Sequence, residues 1–89
     1  MAKKVRFEEL AVAGMRRLFS EETLVTSATH GMALALAFDP AKNAHPCAVI
    51  PNGNFFLRGF FAGFELRVMF EVGEDITVWS VTRATQRIG

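Results

Sequence analysis

Residues Phe64–Val72 read FELRVMFEV, and the fold follows from their alternation. Phe64, Leu66, Val68, Phe70 and Val72 take every second position, with Glu65, Arg67, Met69 and Glu71 between them. Successive side chains of a strand point to opposite faces, so this segment reads as a strand buried on one side only. Before it lies Phe55–Phe61, joined through Ala62-Gly63, which reads as a hairpin turn. After it, Gly73-Glu74-Asp75 leads into Ile76–Val81, rich in β-branched residues. The three segments predict an antiparallel meander.

The turns set an expected register. A two-residue turn at Ala62-Gly63 pairs Phe61 with Phe64 and places Arg58 directly opposite Arg67. A three-residue loop at Gly73-Glu74-Asp75 pairs Val72 with Ile76 and Met69 with Trp79. One face then carries Phe55, Leu57, Phe61, Phe64, Leu66, Val68, Phe70, Val72, Ile76 and Val78. The other carries Phe56, Arg58, Phe60, Glu65, Arg67, Met69, Trp79, Val81 and Arg83. A four-residue loop at Phe60–Gly63 would instead set Arg58 opposite Glu65 as an ordinary ion pair.

The N-terminal part supplies the cover. Val5 and Phe7 flank Arg6 as a first short strand. Phe7, Ala11, Met15 and Leu18 form one helical stripe. Ser20, followed by Glu21-Glu22, reads as the cap of a second helix reaching about Phe38, with Leu24, Ala28, Met32, Ala35 and Leu36 on its apolar side. Asp39-Pro40 ends it, since the residue before proline avoids the helical region. Ala41–Gly53 reads as a loop with a short strand at Ala48–Ile50 and a turn at Pro51-Asn52-Gly53-Asn54. The prediction is an α+β fold in β-α-α-β-β-β order, a helical hairpin on one face of an antiparallel sheet. The run GMALALAF is apolar nearly all round, so it either lies between the first helix and the sheet or meets a second copy in a homodimer.

Composition narrows the chemistry. Eighty-nine residues make a single domain, spanning 1–89. The net charge of +1 does not announce a polyanion partner, though a local basic patch can still form. The sole cysteine, Cys47, excludes an internal disulfide, and His45-Pro46-Cys47 lacks further ligands at a metal-binding spacing. No cofactor or metal is expected. Basic residues at the N-terminus precede no apolar run, and Met32–Phe38 is too short to span a bilayer, so a cytoplasmic protein without membrane contact is expected.

The second sheet face carries the functional reading. Like charges directly opposite on neighbouring strands are unfavourable by about 0.2–1 kcal/mol. An arginine pair beside aromatics is what an anion or nucleic-acid site needs, because guanidinium forks match phosphate and rings stack on unpaired bases. Arg58, Arg67, Trp79 and Arg83 are the candidate target-binding residues. The same surface suits a protein partner, where aromatic residues, Met and Arg are enriched.

The segment Asn54–Arg83, NFFLRGFFAGFELRVMFEVGEDITVWSVTR, resembles the RelE/ParE superfamily of toxins from type II toxin–antitoxin modules. It shares a strand ending in Leu-Arg, a turn around Gly, a second alternating strand with a central Arg, an acidic-Gly turn and a last apolar strand followed by basic residues. The resemblance implies a toxin that cleaves messenger RNA on the ribosome or poisons DNA gyrase, neutralised by an antitoxin that wraps it. It implies that Arg67 holds phosphate, that Arg58 matches the arginine ending the preceding strand, and that Arg83 or Arg87 belongs to the basic residues near the end. The chain departs from the RNA-cleaving members in having no Tyr, no His after His45, and lysines only at Lys3, Lys4 and Lys42. Messenger-RNA endoribonuclease activity would thus lack the usual Tyr/His/Lys set. A gyrase-binding toxin, or a degenerate member that keeps antitoxin binding, fits these departures better. The alternative of another class is a noncatalytic protein-binding module using the same face.

Overall fold

The alternating segment becomes an inner strand of a sheet with two helices on one side. The computed structural model describes residues 3–37, 44–46 and 54–84. Along these the chain forms β1 (Val5–Phe7), α1 (Glu9–Leu18), α2 (Glu22–Ala37), β2 (His45–Pro46), β3 (Asn54–Phe61), β4 (Phe64–Val72) and β5 (Ile76–Arg83). The predicted element order holds, and β2 joins as a two-residue strand. The sheet order is β1-β5-β4-β3-β2. The meander is antiparallel as expected. β1, however, lies parallel to β5, with Val5 opposite Ile76 and Phe7 opposite Val78, so the sheet is mixed. Parallel pairing needs a long connection between the partners, and both helices and two meander strands provide it. The expected strand at Ala48–Ile50, the helix stop at Asp39-Pro40, the turn at Pro51–Gly53, Lys42, Cys47 and Arg87 lie outside the described residues.

α1 carries Glu9 in its first turn and Arg16 and Arg17 in its last, which matches the helix dipole at both ends. It buries Ala11 and Met15. Phe7 does not start this helix; it belongs to β1. α2 begins one residue later than the Ser20 cap implies. The Glu21 carbonyl accepts from the N–H groups of Leu24 and Val25, putting Glu21 at the cap position. Arg16 donates to Glu22 at 3.0 Å, tying the basic end of α1 to the acidic start of α2. Both side chains are mostly exposed, so the pair contributes at most about 1 kcal/mol.

The buried seam of α2 is Val25, Ala28, Met32 and Leu36. Ala35, expected in the seam, is exposed, and Leu24 is half-buried. Leu34 is 58% exposed, so one apolar flank of the helix remains uncovered. The core between helices and sheet also holds Leu66, Val68, Phe70, Ile76 and Val78, all fully buried. Two close approaches depend on glycine. A Cβ on Gly14 would lie 2.7 Å from the Val81 carbonyl oxygen, so α1 rests against the backbone of β5. The Phe61 ring fits between Gly31 of α2 and Gly59 of its own strand, within 3.1–3.2 Å of where each Cβ would be.

The hairpin registers separate into one as expected and one shifted. Phe61 pairs with Phe64 across Ala62-Gly63, whose φ values of 52° and 86° fit a type I′ turn. Val72 pairs with Ile76 as predicted. Beyond Phe70↔Val78 the β4–β5 ladder slips, and Met69 pairs with Ser80 rather than with Trp79. Trp79 is the extra residue of a β-bulge. The bulge lets Val81, expected on the far face, turn into the core at 3% exposure. Burial of Val78 and Val81, three positions apart, requires that one residue be skipped.

Candidate nucleic-acid interface

The sheet face turned away from the helices can be mapped row by row, because directly paired residues share a face. One row holds Arg6, Thr77, Glu71 and Asn54 across β1, β5, β4 and β3. The next holds Ser80, Met69 and Phe56. Then come Thr82, Arg67 and Arg58, and finally Glu65 and Phe60 beside the turn.

Arg58 and Arg67 are direct partners, as the shorter turn predicts. Each is held by something other than its opposite number. Arg58 Nη2 lies 3.6 Å from Glu65 Oε2, on a diagonal across the ladder. That distance exceeds a hydrogen bond, so the contact is electrostatic and partly hydrated. The Arg67 guanidinium stands 5.4 Å from the centroid of the Phe56 ring. Such a cation–π contact contributes about 0.5–1 kcal/mol at an exposed site. Both arginines are exposed. The two arginines are thus side by side on the ladder, while their guanidinium groups lean apart, Arg58 toward Glu65 in the row nearer the turn and Arg67 toward Phe56 in the row beyond.

Trp79 remains on this face but is no open platform. Its indole Nε1 donates to Asn54 Oδ1 at 3.0 Å. Because Asn54 is on β3 and Trp79 on β5, the indole spans β4 and is half-buried against it. Arg83 is not brought to the site. The bulge pairs it with Leu66, on the helix side, where its guanidinium lies 5.1 Å from the centroid of the Phe64 ring. Phe64 in turn meets Phe19 edge to face at 5.1 Å. The expectation that Arg83 shares a face with Arg67 assumed unbroken alternation along β5, and the extra residue inverts the parity.

Two neighbours of the arginines were visible in the alternation without being chosen as site residues. Glu65 lies two positions before Arg67 and supplies the counter-charge. Phe60 is 76% exposed, and no helix or loop among the described residues covers it. Also among the described residues, no cluster of His, Cys, Asp and Glu could hold a metal ion. No helix there is long and apolar enough to cross a membrane.

Comparison with solved structures places the architecture. The chain superposes with a TM-score of 0.75 on a chain of the crystal structure of the toxin–antitoxin complex RelBE2 from Mycobacterium tuberculosis. The fold is RelE-like. The match covers 97% of this chain and 95% of that one, at 16% sequence identity. No protein-family model matches the sequence, and no curated protein matches it significantly. The RelE-like fold therefore rests on the superposition of the two chains and not on shared residues.

A separate shallow depression lies beside β1 between the two helices, with a volume of about 530 Å³. Val5, Phe7, Val12, Val25 and Ala33 give it an apolar floor, and Arg16, Glu22 and His30 stand on its rim.

Proposed function

We propose that this protein is the toxin of a toxin–antitoxin module and that its open sheet face binds single-stranded RNA during translation. The observation that carries the reading is the Arg58–Arg67 pair on a face that neither described helix covers. Arginines at directly paired positions favour a phosphodiester, which each guanidinium can grip through two parallel hydrogen bonds. The RelE-like fold and its likeness to a chain of a toxin–antitoxin complex support the module. An antitoxin would occupy the apolar depression beside β1, leaving its charged rim to fix orientation.

The reading assigns phosphate binding to Arg58 and Arg67 and does not assign a general base. Cleavage of RNA by its own 2′-hydroxyl needs proton transfer as well as charge stabilisation. The described part of the face offers Glu65 as its nearest carboxylate, and that group faces Arg58.

The experiment is induced expression in a bacterial host, following growth, RNA integrity and plasmid supercoiling together. The reading expects growth arrest with altered translation, relieved by Arg67→Ala in a protein that still folds. Arrest with changed supercoiling and intact translation would transfer the target to gyrase. Normal growth with folded protein would leave a noncatalytic binding module.

A further inference from the structure

Phe60 and Glu65 face each other at the end of the hairpin, one row beyond the arginine pair. Phe60 is 76% exposed, the most exposed large apolar side chain among the described residues. Burial of a phenylalanine is among the larger hydrophobic gains a side chain offers, and this one stands in water. The hairpin that carries it is well fixed. The type I′ turn at Ala62-Gly63 sets the register, and the Ala84 N–H donates to the Glu65 carbonyl at 3.0 Å. Phe60 is thus an exposed ring on a rigid support beside a cationic pair.

We infer that Phe60 and Glu65 form a base-reading site for guanine in single-stranded RNA, adjoining the phosphate site of Arg58 and Arg67. This rests on the RNA reading proposed above. The ring offers an unpaired base a stacking surface. Directly opposed side chains have Cβ atoms roughly 5 Å apart, so a base stacked on Phe60 brings an edge to Glu65. A carboxylate is an acceptor with two oxygens. Guanine alone presents two adjacent donors on its pairing edge, N1–H and the 2-amino group. Adenine and cytosine set a ring-nitrogen acceptor beside their amino group. Uracil sets two carbonyls around a single N–H. The carboxylate therefore accepts two bonds from guanine and meets a repelling lone pair on the others.

Glu65 has the capacity for this. Its contact with Arg58, at 3.6 Å, is too long to consume a lone pair in a hydrogen bond. The Glu65 carboxylate leans toward Arg58, whose row adjoins that of Phe60. Two residues of strand separate the rows, a rise of about 7 Å. That lets one nucleotide place its base on Phe60 and a neighbouring phosphate between Arg58 and Arg67.

The test measures binding of short fluorescein-labelled oligouridine carrying one central guanosine, adenosine, cytidine or inosine to the full chain by anisotropy. The guanosine oligomer is expected to bind about tenfold tighter than the adenosine one, the scale of a bidentate base contact. Inosine, which lacks the 2-amino group, falls between them. Glu65→Gln removes the guanosine preference and, by freeing Arg58 of its counter-charge, leaves oligouridine binding as tight or tighter. Phe60→Ala weakens all four oligomers, and Phe60→Trp restores them. Circular dichroism confirms that each variant is folded. Equal affinity for guanosine and adenosine oligomers, with binding that still depends on Arg67, overturns the guanine site and leaves the RNA reading standing. No binding of any oligomer by folded protein overturns both.

Discussion

Arg58 and Arg67 stand directly opposite each other on β3 and β4, on the face the helices leave open. Each has a compensating neighbour: Glu65 at 3.6 Å for Arg58 and the Phe56 ring at 5.4 Å for Arg67. Like charges at directly opposed positions are unfavourable, and each guanidinium leans toward its own compensating neighbour. The pair therefore carries an unfavourable coupling term.

A double-mutant cycle isolates that term. Arg58→Gln and Arg67→Gln are each expected to change stability little, because each loses a favourable neighbour along with the repulsion. The coupling between the two arginines is expected to be unfavourable by about 0.2–1 kcal/mol and to shrink as salt rises. Urea denaturation of the four proteins at low and high salt measures it. Favourable coupling, or none at low salt, would show that the guanidinium groups do not meet.

The turn offers a gain in stability. Ala62 has φ of 52°, which strains a residue with a Cβ by about 1–2 kcal/mol. Asn tolerates this region, and Asn-Gly is the preferred type I′ pair. Ala62→Asn is expected to stabilise the protein by about 0.5–1 kcal/mol. A thermal midpoint that stays level or falls would argue against the turn conformation.

Gly14 behaves in the opposite sense. Exposed helical Gly→Ala changes ordinarily stabilise by about 0.8–1 kcal/mol. Here the new methyl would lie 2.7 Å from the Val81 carbonyl, a backbone atom that no rotamer change can remove. Gly14→Ala is expected to destabilise by about 1–3 kcal/mol as α1 is pushed from β5. A stabilised Gly14→Ala protein would contradict the close packing of that helix on the bulged strand.

Trp79 is the only tryptophan, so its fluorescence reports this face alone. Asn54→Ala removes the acceptor of the indole N–H. Loss of this hydrogen bond is expected to destabilise by about 0.5–1.5 kcal/mol and to red-shift the emission as the ring gains water. An unchanged spectrum would mean that the indole is not tethered across β4.

Local pattern carried much of this molecule. The alternation of Phe64–Val72 gave the half-buried strand, and Ala62-Gly63 gave the turn that pairs Arg58 with Arg67. Both depend on near neighbours in the chain, because strand periodicity and turn length are local properties. The helices were legible in the same way, but their seams were offset. Val25 rather than Ala35 enters the core, since the choice among apolar positions on α2 depends on where the sheet lies. The Arg58–Glu65 contact was foreseen only for a shifted register. It forms without any shift, because long side chains reach diagonally.

The β5 bulge shows the division most clearly. Sequence alone determined that Ile76–Val81 is a strand and that it follows β4 antiparallel. Only the tertiary structure decided where its parity breaks. Val78 and Val81 both gain from burial beneath α1, and skipping Trp79 satisfies both. That choice sends Trp79 across β4 to Asn54 and turns Arg83 to the opposite side from Arg67. The parallel seat of β1 beside β5 is likewise a tertiary outcome, because two distant segments meet there only after both helices have packed. Local sequence specifies the period of each element, whereas competition for a shared core specifies its phase.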